Sequence, residues 1–193
     1  GIFHMNENGL VEVENPSELF LAERRNDITG STIFPSLEGT RPILVEVQAL
    51  VSNANFGTPQ RNVNGFDFKR LAMLLAVLEK RIGTHMGTKD VFINLVGGLK
   101  IDDPAADLAV ISAVASSSRD KLIKESVVLI GEVGLGGEVR SVSRLKERIN
   151  EAKSLGFKSV IAPAANLKRM KDRIKGVDIT GVTNVGEVFH HLF

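Results

Sequence analysis

The sequence predicts a layered α/β domain in which helices pack against a mixed sheet, and three observations lead to that prediction. The chain has 193 residues, of which 43% are hydrophobic, so it is long enough to bury one core of ordinary size. Short runs rich in β-branched residues are bounded by glycine or proline, as is typical of strands. In the second half of the chain these runs alternate with stretches of helical periodicity, which favours a layered α/β arrangement.

The first forty residues are predicted to lie outside this domain. Residues 1–5 are interpreted as the remnant of an expression tag, because natural chains rarely begin in this way and a methionine closes the stretch. Residues 6–40 contain short apolar clusters separated by glycine and proline, which predicts an extended connector with one short helical turn. The folded domain is therefore expected over residues 41–193.

Two strands and a helix are predicted in the first part of that domain. The runs Pro42–Val51 and Val91–Val96 are apolar and rich in β-branched residues, as in strands. Asp67 is a suitable cap for a helix whose apolar residues recur at three- and four-residue spacing until Gly83 ends it. The intervening residues 53–65 are predicted to form a loop.

Helices and strands then alternate to the C-terminus. Pro104 suits the first turn of a helix that runs to about Ser117, because its missing N–H would have no intrahelical partner there. The glycines within 131–137 are expected to form a turn. The other predicted elements are strands over 127–133 and around Val139, a helix capped by Ser143 that reaches Leu155, a strand over 159–162, a basic helix over 166–174, a strand over 179–182 and a helix over 185–192.

Composition excludes several classes of protein. The chain has no cysteine, so it can form neither disulfides nor a thiolate zinc site. No apolar run approaches the roughly 20 residues that span a bilayer, and no signal-peptide pattern begins the chain. We therefore expect a cytoplasmic protein without a membrane partner.

Charge is distributed unevenly although the net charge is only +1. Residues 1–40 carry seven acidic and two basic side chains, whereas residues 138–175 carry eleven basic and four acidic ones. The basic half could face a nucleic acid, or its lysines and arginines could simply solvate amphipathic helices, and the sequence favours neither interpretation.

Three stretches cover most of the first eighty residues: residues 14–24, residues 38–50 and the stretch from Gly65 to Arg81. They resemble the segment that follows the ATPase core in a family of bacterial DNA repair proteins. The resemblance implies a full-length protein that joins a zinc-binding module, a RecA-like ATPase and this domain. Such a protein is expected to be a nucleoid-associated homohexamer that processes recombination intermediates together with a RecA-type recombinase. ATP, Mg²⁺ and Zn²⁺ would bind upstream, and no cofactor is expected in this chain.

From Gly97 onward the chain also resembles the proteolytic domain of Lon, a Ser–Lys peptidase, which implies a Lon-type fold of the kind shared with ribosomal protein S5 domain 2. The Lon motif Lys-Asp-Gly-Pro-Ser-Ala-Gly presents the nucleophile, and here the matching residues 101–107 place Ala105 at the serine position. The Lon motif Gly-Leu-Lys-Glu-Lys ends in the catalytic lysine, and here it is matched by 144–148 with Arg148 at the lysine position.

These two replacements are incompatible with Ser–Lys catalysis. A serine hydroxyl attacks a carbonyl only when a neutral amine accepts its proton, and burial of a lysine permits this. Alanine has no nucleophile, and arginine stays protonated at any usable pH. Lys146 is expected to point away from the cleft, and Ser112 lies about two helical turns, roughly 10 Å, beyond Ala105. The resemblance therefore implies an inactive peptidase domain, with a peptidase that uses an unrecognised dyad as the alternative.

Other candidate sites have simpler interpretations. Asp102, Asp103 and Asp107 could bind a metal, but aspartates at a helix start more often stabilise exposed N–H groups. His190 and His191 point to different faces of a helix and have no further ligand nearby, so no metal site is predicted. The glycine-rich stretch lacks the Lys-Ser/Thr that closes a phosphate-binding loop.

The basic residues of the second half are the candidate DNA contacts. Such clusters can bind phosphates through salt-dependent counterion release. The chain has no Trp or Tyr, so stacking on single-stranded bases is not favoured and nonspecific backbone binding is predicted. The predicted contact residues are Arg140, Arg144, Lys146, Arg148, Lys168, Arg169 and Lys171. A module that only binds other proteins is the second alternative.

Overall fold

The structure, a computed structural model, describes residues 3–7, 9–13, 15–25, 27–54, 57–124, 126–170 and 174–193. Its helices and strands are β1 (Phe3–Asn6), β2 (Gly9–Glu12), α1 (Pro16–Leu21), β3 (Ser31–Glu38), β4 (Arg41–Asn53), β5 (Arg61–Asn64), α2 (Phe68–Val77), β6 (Lys89–Leu95), α3 (Asp107–Arg119), β7 (Val127–Leu129), β8 (Glu132–Val133), β9 (Val139–Arg140), α4 (Leu145–Ser154), β10 (Ser159–Pro163), α5 (Ala164–Arg169), β11 (Asp178–Val182) and α6 (Val185–Leu192).

Seven of the strands form one mixed sheet, which confirms the predicted fold class. Their order is β11-β10-β7-β3-β4-β6-β5, with β4 antiparallel to both of its neighbours and the other pairs parallel. Strands β8 and β9 form a separate hairpin, as do β1 and β2. Parallel pairs need crossover connections, which here contain α2 between β5 and β6, α4 between β7 and β10, and α5 between β10 and β11.

Helix α3 is buried along most of its length against β3 and β4. Its side chains are small or apolar, so the helix can lie close to the sheet. Three hydrogen bonds connect the two: the Thr32 hydroxyl donates to the carbonyl of Ala109, the Gly30 N–H donates to the Ser116 hydroxyl, and the Val51 N–H donates to Ser117. The hydroxyls of Ser116 and Ser117 therefore serve to hold α3 against the backbone of the sheet.

Strand β3 corrects the predicted connector. Residues 31–38 lie in the middle of the sheet and all but the last two are buried. The sequence pattern concealed this strand because Ser31, Thr32, Pro35 and Ser36 interrupt its apolar residues. Their polar groups are satisfied inside the fold, for example by the 2.6 Å hydrogen bond from Ser31 to Glu46. Residues 1 and 2 of the stretch interpreted as a tag remnant lie outside the described residues.

The predicted helix from Asp67 to Gly83 is confirmed. Asp67 accepts a hydrogen bond from the N–H of Arg70, and Gly83 ends the helix with a positive φ of 75° after a π-helical turn over Leu78–Ile82. The predicted loop over 53–65 is wrong in part, because it contains the edge strand β5.

Three further boundaries differ from the sequence prediction. The strand predicted over 127–133 is two strands, because β8 leaves the sheet to pair with β9. Ser143 does not cap α4; Arg144 occupies the cap position in a left-handed conformation and makes no capping bond through its side chain. Helix α5 begins at Ala164 and ends at Arg169, and residues 171–173 of the predicted basic helix lie outside the described residues.

Within the described ranges, every helix is too short or too polar to cross a membrane.

Candidate functional site

The turn that precedes α3 holds the position of the missing nucleophile. Asp103 caps a 3₁₀ turn over Pro104–Ala106, and its carboxylate accepts a 3.0 Å hydrogen bond from the N–H of Ala105. The carbonyl of Ala105 accepts from the N–H of Gly131 at 2.9 Å. A Cβ at Gly131 would lie only 2.9 Å from Val139, so the close approach of the hairpin to this turn requires glycine. Ala105 is thus held firmly in a buried position.

Arg148 projects from the first turn of α4 into the interior, and its side chain is fully buried. Its guanidinium has three acceptors on three different segments. Nη1 donates to the carbonyl of Pro35 at 2.5 Å, Nε donates to the carbonyl of Ser143 at 3.1 Å, and Nη2 donates to the carboxylate of Asp103 at 2.5 Å. The ring of Phe34 lies 5.5 Å below the guanidinium. Each nitrogen of this cation therefore has an acceptor, and one face lies against an aromatic ring.

Asp103 joins the two degenerate positions. One carboxylate oxygen binds the Ala105 N–H and the other binds Arg148, so the sites of the lost nucleophile and the lost base share one anion. A cleft of about 390 Å³ opens beside this pair. A second cleft of about 450 Å³ shares its lining residues Ile101, Asp102 and Asp103. The two clefts therefore meet at Asp102 and Asp103, beside the buried guanidinium of Arg148.

This arrangement lacks the two groups of a Ser–Lys dyad at the matched positions. A Ser–Lys peptidase needs a hydroxyl beside an amine that can lose its proton. Here a methyl group lies beside a guanidinium that is paired with a carboxylate. Ser112 cannot substitute because it is fully buried, and Lys146 cannot because it lies on the exposed side of α4, as the helical spacing predicted.

A second ion pair, in which only the carboxylate is fully buried, lies on the other side of the same turn. Asp107 is fully buried, accepts both charged hydrogen bonds of Arg70, and also accepts from the N–H of Val133 at 2.9 Å. Burial raises the pKa of Asp107, and the bonds to Arg70 and Val133 offset part of that rise. The hydrogen bond to Asp107 in turn raises the pKa of Arg70. The pair connects α2, α3 and β8.

Sequence reasoning missed these two ion pairs. Capping by Asp103 is confirmed, but both Asp103 and Asp107 stand where the Lon motif has glycine, and each pairs with an arginine. Two carboxylates that enter a motif of small residues are a signal of new cationic partners, because an unpaired buried charge is costly. For Asp103 the partner was visible in the sequence, since an arginine replaces the motif's lysine.

The predicted DNA contacts divide into exposed and buried residues. Arg140 on β9 pairs with Glu138 at 2.6 Å, and Arg144 pairs with Glu147 at 3.4 Å, both at the surface. Lys146, Lys168 and Arg169 are exposed. We call Arg140, Arg144, Lys146, Lys168 and Arg169 the basic surface. Arg148 does not belong to it, because a fully buried guanidinium cannot reach a phosphate, and Lys171 lies outside the described residues.

Two segments of the chain form the basic surface, and one side chain holds them together. The Oδ1 of Asn166 on α5 accepts from the N–H of Val142 at 2.8 Å, and its Nδ2 donates to the carbonyl of Val142 at 2.9 Å. Val142 lies two residues from both Arg140 and Arg144. The cations that follow β9 therefore lie next to those of α5, although they are far apart in sequence.

Metal binding finds no support among the residues that the structure describes, where no three His, Cys, Asp or Glu side chains come together. His190 and His191 are exposed near the end of α6. The glycine-rich stretch forms the turn of the β8–β9 hairpin, as predicted, with a 2.9 Å hydrogen bond from the N–H of Gly137 to the carbonyl of Gly134.

Comparison with known proteins gives consistent results. The family model of the Lon protease (S16) C-terminal proteolytic domain matches residues 78–193. The DNA repair protein RadA of Bacillus subtilis (strain 168) is 52% identical over 187 residues, which are 97% of this chain and 41% of the relative. RadA of Streptococcus pyogenes serotype M1 is 47% identical over 193 residues, which are 100% of this chain and 42% of the relative. The chain thus spans about two fifths of the length of the curated relatives it matches.

Proposed function

The chain belongs to the family of Lon protease C-terminal proteolytic domains, and from that premise we propose that it is a Lon-like domain without peptidase activity that contacts DNA in a bacterial DNA repair protein. The similarity to RadA proteins supports the assignment to DNA repair. The loss of both catalytic groups supports the absence of peptidase activity.

The shared anion at the degenerate site carries the first half of this proposal. Loss of the hydroxyl at Ala105 alone removes covalent catalysis, and the buried pair of Asp103 and Arg148 fills the place where a neutral base would be required. An ion pair with three backbone and side-chain acceptors is costly to break, so the guanidinium is not free to take another role in a reaction.

A peptidase assay with a matched chemical probe tests this half. The purified chain is incubated with casein and with fluorogenic peptides, and in parallel with a fluorophosphonate that labels activated serines. We expect neither cleavage nor labelling. Cleavage that follows the protein through successive purification steps, together with a labelled serine, would establish the alternative of an unrecognised dyad.

The basic surface carries the second half. Five cations on two adjoining segments can contact successive phosphates, and the exposed ion pairs of Arg140 and Arg144 are weak enough to exchange for phosphate. The absence of tryptophan and tyrosine favours binding to the backbone of duplex DNA over stacking on bases.

A salt titration of DNA binding tests the second half. Each phosphate contact contributes about 0.9 to the slope of log K against log salt, so the double variant Lys168→Glu/Arg169→Glu should lower that slope by about 2. The matched control is Lys121→Glu/Lys124→Glu, which reverses two exposed charges before β7. This loop lies at the opposite edge of the sheet from α5, because β7 and β10 are parallel and α5 follows β10. Equal effects of the two double variants would exclude a specific basic surface.

Assembly and motor activity concern the longer protein. The family resemblance supports a homohexameric ring in which this domain acts as a scaffold. ATP, Mg²⁺ and Zn²⁺ would bind in the part of the longer protein that lies outside this chain, which would act as a motor on recombination intermediates with a RecA-type recombinase. Light scattering of the full-length protein with and without this domain measures its contribution to the ring, and an unchanged mass without the domain would refute the scaffold role.

A further inference from the structure

We propose that Arg148, at the position of the lost catalytic base, is a positioning residue for the basic surface, because it holds the backbone turn from which Arg144 and Lys146 project. This inference rests on the proposed function, since it concerns how the basic surface meets DNA. It assigns a role to a side chain that cannot touch DNA itself.

Arg148 is anchored to parts of the domain that do not belong to the basic surface. Two of its three hydrogen bonds are made to the body of the domain, to the carbonyl of Pro35 on β3 and to the carboxylate of Asp103 at the start of the α3 region. The guanidinium is planar and rigid, so these two bonds determine the position of the remaining Nε–H.

The remaining hydrogen bond of Arg148 connects it to the basic surface. The Nε–H donates to the carbonyl of Ser143, the residue directly before Arg144. The backbone on the other side of Ser143 is held by Asn166, which makes two hydrogen bonds to Val142. The turn is therefore held at two consecutive residues, by α5 on one side and by Arg148 on the other.

The turn before α4 contains a strained residue, so it depends on the hydrogen bonds made by Arg148 and Asn166. Arg144 has φ 53° and ψ 39°, a left-handed conformation that L residues adopt at a cost, and no side-chain cap stabilises the first turn of α4. The Lon motif has glycine at this position, for which the conformation is not strained. Without the bond from Arg148 the carbonyl of Ser143 loses its restraint, and we expect the backbone of Arg144 to relax and to move its side chain from its place on the basic surface.

The variant Arg148→Lys tests the positioning role of residue 148 separately from its positive charge. Arg148→Lys keeps a cation beside Asp103 but has a single nitrogen, so it cannot bind Asp103, Pro35 and Ser143 at the same time. We expect duplex DNA affinity to fall about 3- to 10-fold near 0.1 M salt and the salt slope to fall by about 1, the value for one lost phosphate contact.

A double-mutant cycle distinguishes a positioning role of Arg148 from a general structural role. Only the positioning role predicts that the effect of Arg144→Ala on DNA affinity depends on the residue at position 148. Arg144→Ala should weaken DNA binding in the wild-type background and have little further effect in the Arg148→Lys background, because the contact is already lost. Lys168→Ala, on the other segment, should weaken binding by the same factor in both backgrounds. Arg70→Lys is the matched control, since it disturbs the second ion pair and should leave the affinity and the salt slope unchanged.

The possible outcomes distinguish the two proposals. Absence of salt-dependent DNA binding by the wild-type chain overturns the proposed function and this inference with it. If the wild type binds and Arg144→Ala costs the same factor in both backgrounds, or if Arg70→Lys lowers affinity as much as Arg148→Lys, only the positioning role is refuted. Should Arg148→Lys fail to fold, Asp103→Asn serves in the same cycle, because the amide oxygen still caps Ala105 whereas the amide nitrogen, which is a donor, cannot accept from Arg148 and removes one of the two bonds that anchor the guanidinium.

Discussion

Removal of the guanidinium of Arg148 should destabilise the domain through the groups it leaves behind. Arg148→Met keeps an unbranched chain of similar length but deprives Asp103, Pro35 and Ser143 of a donor. Breaking a buried ion pair costs about 3–5 kcal/mol. The side chain of Asp103 is 21% exposed and can be partly solvated, which places the expected loss near the lower end, at about 3 kcal/mol.

Removal of the carboxylate should destabilise the domain more than removal of the guanidinium, because the partner left behind is more deeply buried. Asp103→Ala strands a guanidinium whose side chain is 0% exposed, and it also removes the cap on Ala105, so we expect a loss of about 4 kcal/mol. In the double variant neither charge remains buried. Its loss should be about 4 kcal/mol, well below the sum of the single effects, and the difference of about 3 kcal/mol measures the coupling of the pair.

Urea unfolding followed by far-ultraviolet circular dichroism measures these differences, with the midpoint compared at constant m-value. Arg140→Met is the matched control, because its partner Glu138 is at the surface and no measurable change is expected. The reasoning would be refuted if Arg148→Met shifted the midpoint no more than Arg140→Met, or if the effects of the two single variants added.

Three further predictions concern the same region and the C-terminal helix. Arg144→Gly should raise the free energy of unfolding by up to about 1 kcal/mol, because glycine adopts the left-handed conformation without strain, and should weaken duplex DNA binding in a salt titration. Ala105→Ser/Arg148→Lys should remain inactive towards a fluorogenic peptide, because the neighbouring carboxylate favours the charged form of the new lysine; cleavage by this variant would contradict that account. Hydrogen bonds from the hydroxyl and N–H of Thr183 lower the pKa of Glu187 below 4.5, so their stabilisation is present above pH 4.5 and lost as the pH falls through the lowered value. The loss of stability in Glu187→Gln relative to the wild type should therefore be largest near neutral pH. Urea unfolding of both proteins across this pH range measures the difference. A difference that grows on acidification would exclude the mechanism.

The sequence predicted correctly those elements that depend on neighbouring residues, and it missed those that depend on partners elsewhere in the fold. Helix α2 was located by its apolar spacing, by its Asp67 cap and by the glycine that ends it, all of which are local features. Strand β3 was missed because its polar residues bond to groups elsewhere in the fold, which no local pattern reports. Ser143 was a plausible cap, but its carbonyl accepts a hydrogen bond from Arg148. The cap position is one residue later, at Arg144, which has a left-handed conformation.

The candidate site showed the same division. Ala105 and Arg148 were identified from the sequence because the reaction depends on the identity of two residues, and identity is what a sequence contains. Arg148 was nevertheless assigned to the DNA contacts, because charge is visible in a sequence whereas burial is not. The relation between Val142 and Asn166, which joins the two basic segments, could not be seen for a similar reason, since 24 residues separate them.

Residue chemistry and local periodicity therefore determined most of the elements of this domain and the two substituted positions of the Lon motifs, since both act over a few neighbouring positions. Only the tertiary structure decided which of its charges face inward. A guanidinium is placed by acceptors on several distant segments, and for Arg148 these are β3, the turn before α3 and the start of α4, which meet only when the chain has folded. The cost of leaving such a charge unpaired in the interior makes its three partners a property of the whole fold.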